Sequence, residues 1–334
     1  MTKFYKLMFV STLIIGTLIA ISAYSWMAMW IGLEINLLSI IPLMSDLKNL
    51  YPSESALKYF ITQSLASASL LFSIIMTINL NEVMTPTLNY FMMMMMNSAL
   101  MTKLGAAPFH SWFPEVMEGL SWMNCLIMLT WQKLAPMVLM MYNCKMTTFF
   151  LMVIMFSSMV GGILGLNQIS LRKILTYSSI NHISWMMSTM LNAQSIWLIY
   201  FLTYTVMTIN IVAILNMMKI YYMKQLLNSM NNNKMLKFFY MMNFLSLGGL
   251  PPFLGFLPKW LTINNLVQNN FLMLSIILII FTLITLFFYL RITFPVMTMN
   301  TKEMLYSMKT PKLFIIFFLN FISLAGLVSC TLIF

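Results

Sequence analysis

Between Phe4 and Tyr24 the chain carries a single charged side chain, and between Leu313 and Phe334 it carries none. Leu70–Leu80 is equally bare. Such runs are insoluble if water reaches them, and they lack the period-two alternation of a half-buried strand. In hydrocarbon every backbone N–H and C=O must be paired within the protein, which leaves helices or a closed barrel. Long, non-alternating runs select helices. The rest of the chain agrees: 7% of residues are charged, against about 25% in a soluble domain, and mean hydropathy is +0.88. The expected fold class is an all-α polytopic membrane protein.

A helical crossing needs about 20 mostly apolar residues. Windows of that size place eleven spans, at 4–24, 26–45, 55–79, 87–117, 122–142, 147–166, 172–191, 195–222, 237–263, 269–291 and 312–333. The fourth and ninth are too long for one crossing and contain Pro108 and Pro251–Pro252, so each is read as one broken helix. This arrangement puts Lys3, Lys6, Lys48, Arg172, Lys173, Lys219, Lys224, Lys234, Lys237, Arg291, Lys302, Lys309 and Lys312 on the N-terminal face, and only Lys145 on the other. The positive-inside rule then makes the N-terminal face the cytoplasmic or matrix side. The net charge of +11 follows from this bias and requires no nucleic acid. Lys3 and Lys6 ahead of an apolar run have the form of a signal peptide, but the ten spans that follow commit the chain to a membrane.

The two broken helices resemble each other. Leu104-Gly105-Ala106-Ala107-Pro108 and Leu247-Gly248-Gly249-Leu250-Pro251 both read L-G-x-x-P. Pro108-Phe109-His110-Ser111-Trp112-Phe113-Pro114-Glu115 matches Pro252-Phe253-Leu254-Gly255-Phe256-Leu257-Pro258-Lys259, with one extra proline between the two matches. Five spans separate the copies, so the second crosses in the opposite sense. The expected organisation is a first five-helix repeat over 1–143, an inverted second repeat over 144–294, and a loop and terminal helix over 295–334. Gly/Pro-interrupted helices paired across inverted repeats point to an ion path, because freed backbone groups are tolerated at membrane depth only inside protein or beside water.

Several ionisable residues fall inside spans: Glu34, Lys103, Lys133, His182 and Lys259. A charge at the bilayer centre costs about 2.5–3.5 kcal/mol even on insertion scales, so it needs a partner and usually has a use. A desolvated lysine can hold and release a proton near neutral pH, which arginine cannot. Glu34 beside one lysine, with further lysines along the path, makes a plausible proton switch. Each residue also has a structural reading: a buried Glu34–Lys103 ion pair, Lys133 on freed carbonyls, Lys259 snorkelling, His182 as a bonded core histidine. His110 is read as a cap on the broken backbone, Glu115 and Glu118 as solvated, and Lys58 and Arg291 as anchors near the N-terminal face. Cys125, Cys144 and Cys330 are scattered and frame neither a cluster nor a disulfide core. Two histidines without a carboxylate–cysteine cluster make no metal site, and no GxGxxG or P-loop is present. The Met92–Met96 run reads as soft packing.

Trp30-Ile31-Gly32-Leu33-Glu34-Ile35-Asn36, Lys103 through His110, Thr130-Trp131-Gln132-Lys133-Leu134-Ala135-Pro136 and Leu247 through Trp260 resemble the antiporter-like membrane-arm subunits of respiratory complex I, in their animal mitochondrial form. The resemblance runs in order along nearly the whole chain. It implies a core membrane subunit taking part in proton translocation coupled to electron transfer from NADH to ubiquinone. Glu34 and Lys103 match the family's ion pair, Lys133 its central lysine, Lys259 the lysine of the second broken helix, and His182 the helix linking two half-channels. The bacterial relatives carry three further N-terminal helices, which agrees with the count here. The resemblance places NADH, flavin, iron–sulfur clusters and ubiquinone in other subunits, with no cofactor or metal in this chain and structural phospholipids around it. It implies partners among the other membrane-arm and accessory subunits. It also implies a mitochondrial inner-membrane location, with the N-terminus in the matrix and the C-terminus in the intermembrane space. A free-standing cation/proton antiporter and a structural spacer of the membrane arm are the alternatives.

Overall fold

The computed structural model describes residues 4–45, 49–79, 86–144, 146–229 and 234–298, together with 318, 320, 321, 323 and 326. It is helical throughout these residues, apart from one backbone bridge between Ser170 and Tyr222. Two compact units divide the chain, Met1–Val153 and Ile154–Phe334.

The first unit contains α1 (Phe4–Ser22), α2 (Trp26–Met44), α3 (Leu50–Asn79), α4 (Pro86–Leu104), α5 (Trp112–Gly119), α6 (Trp122–Leu129) and α7 (Trp131–Tyr142). Ser25 caps α2 by accepting from the Ala28 N–H at 3.3 Å, as a serine N-cap should. α1 and α2 pack backbone to backbone. A Cβ placed on Gly32 would stand 2.6 Å from the Ala20 nitrogen, and one on Gly16 would stand 3.0 Å from the Asn36 nitrogen. Small residues are what let two membrane helices approach this closely. Gly32→Val is therefore expected to cost about 1–3 kcal/mol of packing and to reduce the amount of chain recovered in its native assembly. Quantitative native electrophoresis checks this, and wild-type recovery would show that α1 and α2 can separate without consequence. Gly162→Ala is the control, since its Cβ would meet nothing nearer than 3.4 Å.

The sequence predicts one helix over 122–142, but the structure breaks it at Thr130 (φ −114°, ψ −70°). The Thr130 hydroxyl donates to the Leu126 carbonyl at 2.7 Å, beside the backbone N–H bond to the same oxygen, and back-bonding of this kind bends helices. Pro136, six residues on, further removes one ladder donor. α3 begins earlier than expected, at Leu50. The Met92–Met96 run lies on α4 with Met92 and Met96 buried and the three between them half-buried.

α8 (Thr147–Gly165) spans the boundary between the units. The second unit continues with α9 (Leu171–Met190), α10 (Gln194–Met218), α11 (Met223–Ser229), α12 (Lys234–Gly248), α13 (Phe256–Gln268) and α14 (Leu272–Thr298). The short α11 was not expected. α10 stops before the predicted 222, because Lys219 turns left-handed at φ 51° and closes the helix. α14 runs on to Thr298, so Arg291 lies inside it and donates to the Gln168 carbonyl at 3.0 Å. The predicted span 312–333, Cys330 included, lies outside the described residues apart from the five noted above.

α9 is the most enclosed helix of its unit: nearly every residue from Leu171 to Met190 is buried. It is also polar, with Thr176, Ser178, Ser179, Ser184, Ser188 and Thr189 on its inner turns. Each of these hydroxyls donates to the carbonyl three residues back, at 2.6–2.8 Å. Local pairing of this kind removes the cost of unpaired polar groups away from water.

By length and apolarity, seven helices among the described residues can cross a membrane, and α6 with α7 count as one of them. α9, α12 and α13 are not among the seven. α12 and α13 are separated by their break, and α9 is polar but enclosed.

Candidate functional site

Both expected breaks are present and both are built on a glycine. α4 ends at Leu104, and Gly105 follows with φ +74°; the N–H groups of Gly105 and Ala106 both reach the Met101 carbonyl. α12 ends at Gly248, and Gly249 follows with φ +81°. A left-handed residue in this position closes a helix, and glycine adopts it without steric cost. The structure corrects the alignment of the two motifs. Gly105 corresponds to Gly249, not to Gly248, because the left-handed turn defines the helix end. Pro108 then matches Pro252 and Glu115 matches Lys259 with one constant offset, and the extra proline disappears from the comparison.

In the first unit, Glu34 is half-buried on α2 and Lys103 is buried in the last turn of α4. The two lie within electrostatic reach of each other, but among the described residues no salt bridge joins them. The expected ion pair is therefore open in this structure. Lys103 is suited to its position by the negative end of the α4 dipole. Trp112 also serves this end, donating its indole N–H to the Thr102 carbonyl at 3.0 Å. A small cavity of about 10 Å³, at the lower limit for one water, is lined by Asn36, Tyr59, Gln63, Lys103 and Gln132 among others. Gln132 donates to Asn36 at 2.8 Å and so ties α7 to α2 beside Glu34.

Lys133, on α7, is 1% exposed. Its Nζ stands 5.8 Å from the centre of the Phe113 ring, close enough for a cation–π contact. The same ring fills the space beside Gly105, where an added Cβ would meet it at 3.2 Å. His110 lies in the break, half-buried, and its Nδ1 has no hydrogen-bond partner among the described residues. Glu115 faces outward, where Lys58 bonds both it and Glu54 at 3.1 Å on an exposed flank. At one register position, then, the two breaks carry opposite residues with different uses.

In the second unit, Lys259 of α13 is buried and folds back onto the end of α12. Its ammonium donates to the Gly248 carbonyl at 2.8 Å and to the Leu247 carbonyl at 3.3 Å. It occupies the space a Cβ on Gly249 would need, at 2.8–3.1 Å. It does not snorkel. His182 is buried in α9, with its Nδ1 3.0 Å from the Tyr200 hydroxyl and its ring against Tyr204. Its neighbour Asn181 reaches Thr285 of α14 at 3.4 Å.

Sequence reasoning missed Tyr59, Gln63, Gln132 and Tyr200 as members of these surroundings. Tyr59 and Gln63 are spaced four apart on α3, so they share a face. That spacing in an apolar helix was the available signal.

A profile of the family described as NADH:quinone oxidoreductase/Mrp antiporter, transmembrane, matches residues 23–287. The chain is similar to NADH-ubiquinone oxidoreductase chain 2 of Anopheles gambiae, at 47% identity over 341 residues, covering 100% of this chain and 99% of the relative. It is similar to the protein of the same description from Aedes aegypti, at 48% identity over 339 residues with the same coverage. Among solved structures it is similar in fold to a chain of respiratory complex I from Thermus thermophilus with bound aureothin. That match has a TM-score of 0.87 at 23% identity and covers 97% of this chain and 78% of the other.

Proposed function

Because the chain belongs to the NADH:quinone oxidoreductase/Mrp antiporter transmembrane family and is a core membrane subunit of respiratory complex I, we propose that Glu34, Lys103, Lys133, His182 and Lys259 carry protons through it. It is a multi-pass protein of the mitochondrial inner membrane. The observation that carries the proposal is the burial of three lysines, 8%, 1% and 7% exposed at Lys103, Lys133 and Lys259, in a chain of membrane-spanning helices. Charges held there are costly and mark ion paths.

The proposed architecture is eleven crossings arranged as two inverted five-helix repeats, 1–143 and 144–294, with a loop and terminal helix over 295–334. The matched glycine breaks support it. The N-terminus faces the matrix and the C-terminus the intermembrane space, which follows from the positive-inside bias. Protons are taken up from the matrix side. Closing or opening the gap between Glu34 and Lys103 changes how firmly Lys133 holds its proton, since charges interact strongly where water is scarce. The proton then passes by way of His182 and water to Lys259 and leaves on the opposite side. Lys259 alternates between holding the α12 carbonyls as an ammonium and releasing a proton. NADH, flavin, iron–sulfur clusters and ubiquinone are bound by other subunits, consistent with the lack of their motifs in this sequence. The other membrane-arm subunits supply the coupling, and phospholipids cover the apolar flanks.

Native electrophoresis of membranes solubilised in mild detergent tests whether this chain works within the complex. Migration in a large band that also oxidises NADH is expected. Migration alone, or as a small homo-oligomer with ion flux of its own, would replace this reading with a self-sufficient antiporter.

A further inference from the structure

The second unit holds a buried group of hydroxyls around His182: Tyr200 and Tyr204 one turn apart on α10, Tyr289 on α14, and Ser178 and Ser179 on α9, all 3% exposed or less. They do not share one role. The Ser178 hydroxyl donates to the Leu175 carbonyl at 2.8 Å, and that of Ser179 to the Thr176 carbonyl at 2.7 Å. Each serine has thus spent its one proton on a backbone carbonyl and has none to pass on. A chain of donors ending on a carbonyl cannot pass a proton onward, because a carbonyl oxygen accepts but has no proton to give.

The contact between Tyr200 and His182 is different. Both partners can donate and accept, and they stand 3.0 Å apart, within range of a direct proton transfer. We propose that Tyr200 is a proton-relay residue, taking the proton from His182 Nδ1 and handing its own to a water. The inference rests on the reading of His182 as part of the path. In the step, a proton arrives on Nε2 and forms an N–H bond. The N–H bond at Nδ1 breaks as an O–H bond forms on Tyr200, and the former Tyr200 O–H bond breaks as its proton goes to the water. One proton enters and one leaves, and the imidazole returns to neutral with its tautomer exchanged; turning of the ring, which presents the new N–H to Tyr200, resets it without carrying a proton back. Tyr204, whose ring packs 5.1 Å from the imidazole, holds the ring in place.

The test uses the assembled complex in proteoliposomes, reading protons moved per electron and turnover with ubiquinone. Tyr200→Phe keeps the ring and removes the hydroxyl. Coupled turnover is expected to fall about a hundredfold, the usual scale for losing a positioned proton-transfer group, while NADH oxidation with an artificial acceptor stays unchanged. Tyr204→Phe is expected to pump within about twofold of wild type. Tyr200→His, which restores an exchangeable ring proton, is expected to recover at least tenfold over Tyr200→Phe, and it carries the test by comparison with Tyr200→Leu if Tyr200→Phe does not assemble. Normal pumping by Tyr200→Phe alongside stalled pumping by His182→Gln overturns the relay and leaves His182 in place. Normal pumping by both removes the path through His182 itself. Equal loss in Tyr200→Phe and Tyr204→Phe, with no recovery in Tyr200→His, shows that the hydroxyls act through packing and overturns the relay.

Discussion

Gly249→Ala is expected to uncouple proton transport from electron transfer while leaving the assembled complex able to oxidise NADH. Two independent effects meet at this residue. The left-handed backbone at φ +81° costs a non-glycine residue about 1–3 kcal/mol. The new methyl would also stand 2.8 Å from the Lys259 Cδ and 2.9 Å from its Nζ, nearer than real side chains approach. The flexible lysine gives way first, so its ammonium leaves the Gly248 and Leu247 carbonyls. That strands a buried charge and the end of a helix, at a further cost of about 1–3 kcal/mol or more. The readout is protons moved per electron in proteoliposomes, with NADH oxidation by an artificial acceptor as the internal reference. Gly248→Ala is the control one residue away, because its methyl would meet nothing nearer than 3.6 Å. Full coupling in Gly249→Ala would mean that the hold of Lys259 on the broken helix is dispensable.

Lys133→Met is expected to assemble as well as wild type and to fail in pumping. Methionine nearly conserves the volume of the side chain, and such swaps usually cost less than about 1.5 kcal/mol. Replacing a buried charge with a well-packed apolar group is often neutral or stabilising. A purely structural Lys133 would therefore lose nothing in coupling, whereas a proton-carrying one stalls pumping at normal assembly. Lys133→Arg sharpens the test. It keeps the positive charge beside the Phe113 ring but cannot release its proton at physiological pH. If charge alone matters, arginine restores function; if proton exchange matters, both variants stall. Normal proton-to-electron ratios in both would leave the chain as a spacer in the membrane arm.

The apolar segments were legible because twenty residues in hydrocarbon admit few alternatives. The two breaks were legible because glycine and proline announce them. Thr130 was not, since threonine occurs in many unbroken membrane helices and only its bond to Leu126 shows what it does here. The motif alignment was off by one residue at Gly248 because two adjacent glycines look alike until one of them takes a positive φ. The buried lysines could be picked out as misplaced charges, but not their surroundings. Lys259 bonds carbonyls that carry no sequence signal, and the company of Tyr200 and His182 depends on the register between α9 and α10. Glu34 and Lys103 lie within electrostatic reach of each other, yet among the described residues no salt bridge joins them, a spacing the sequence does not reveal.

The hydroxyls of α9 have a consequence for how the chain is made. Six of them are bonded to the helix's own backbone, so these hydroxyls need no partner from another helix when the segment enters lipid. Asn181 and His182 reach side chains of other helices, Thr285 on α14 and Tyr200 on α10. The partner of His182 sits on the very next helix to be synthesised. Pairing α9 with α10 alone is therefore enough to give the buried histidine a hydrogen-bond partner.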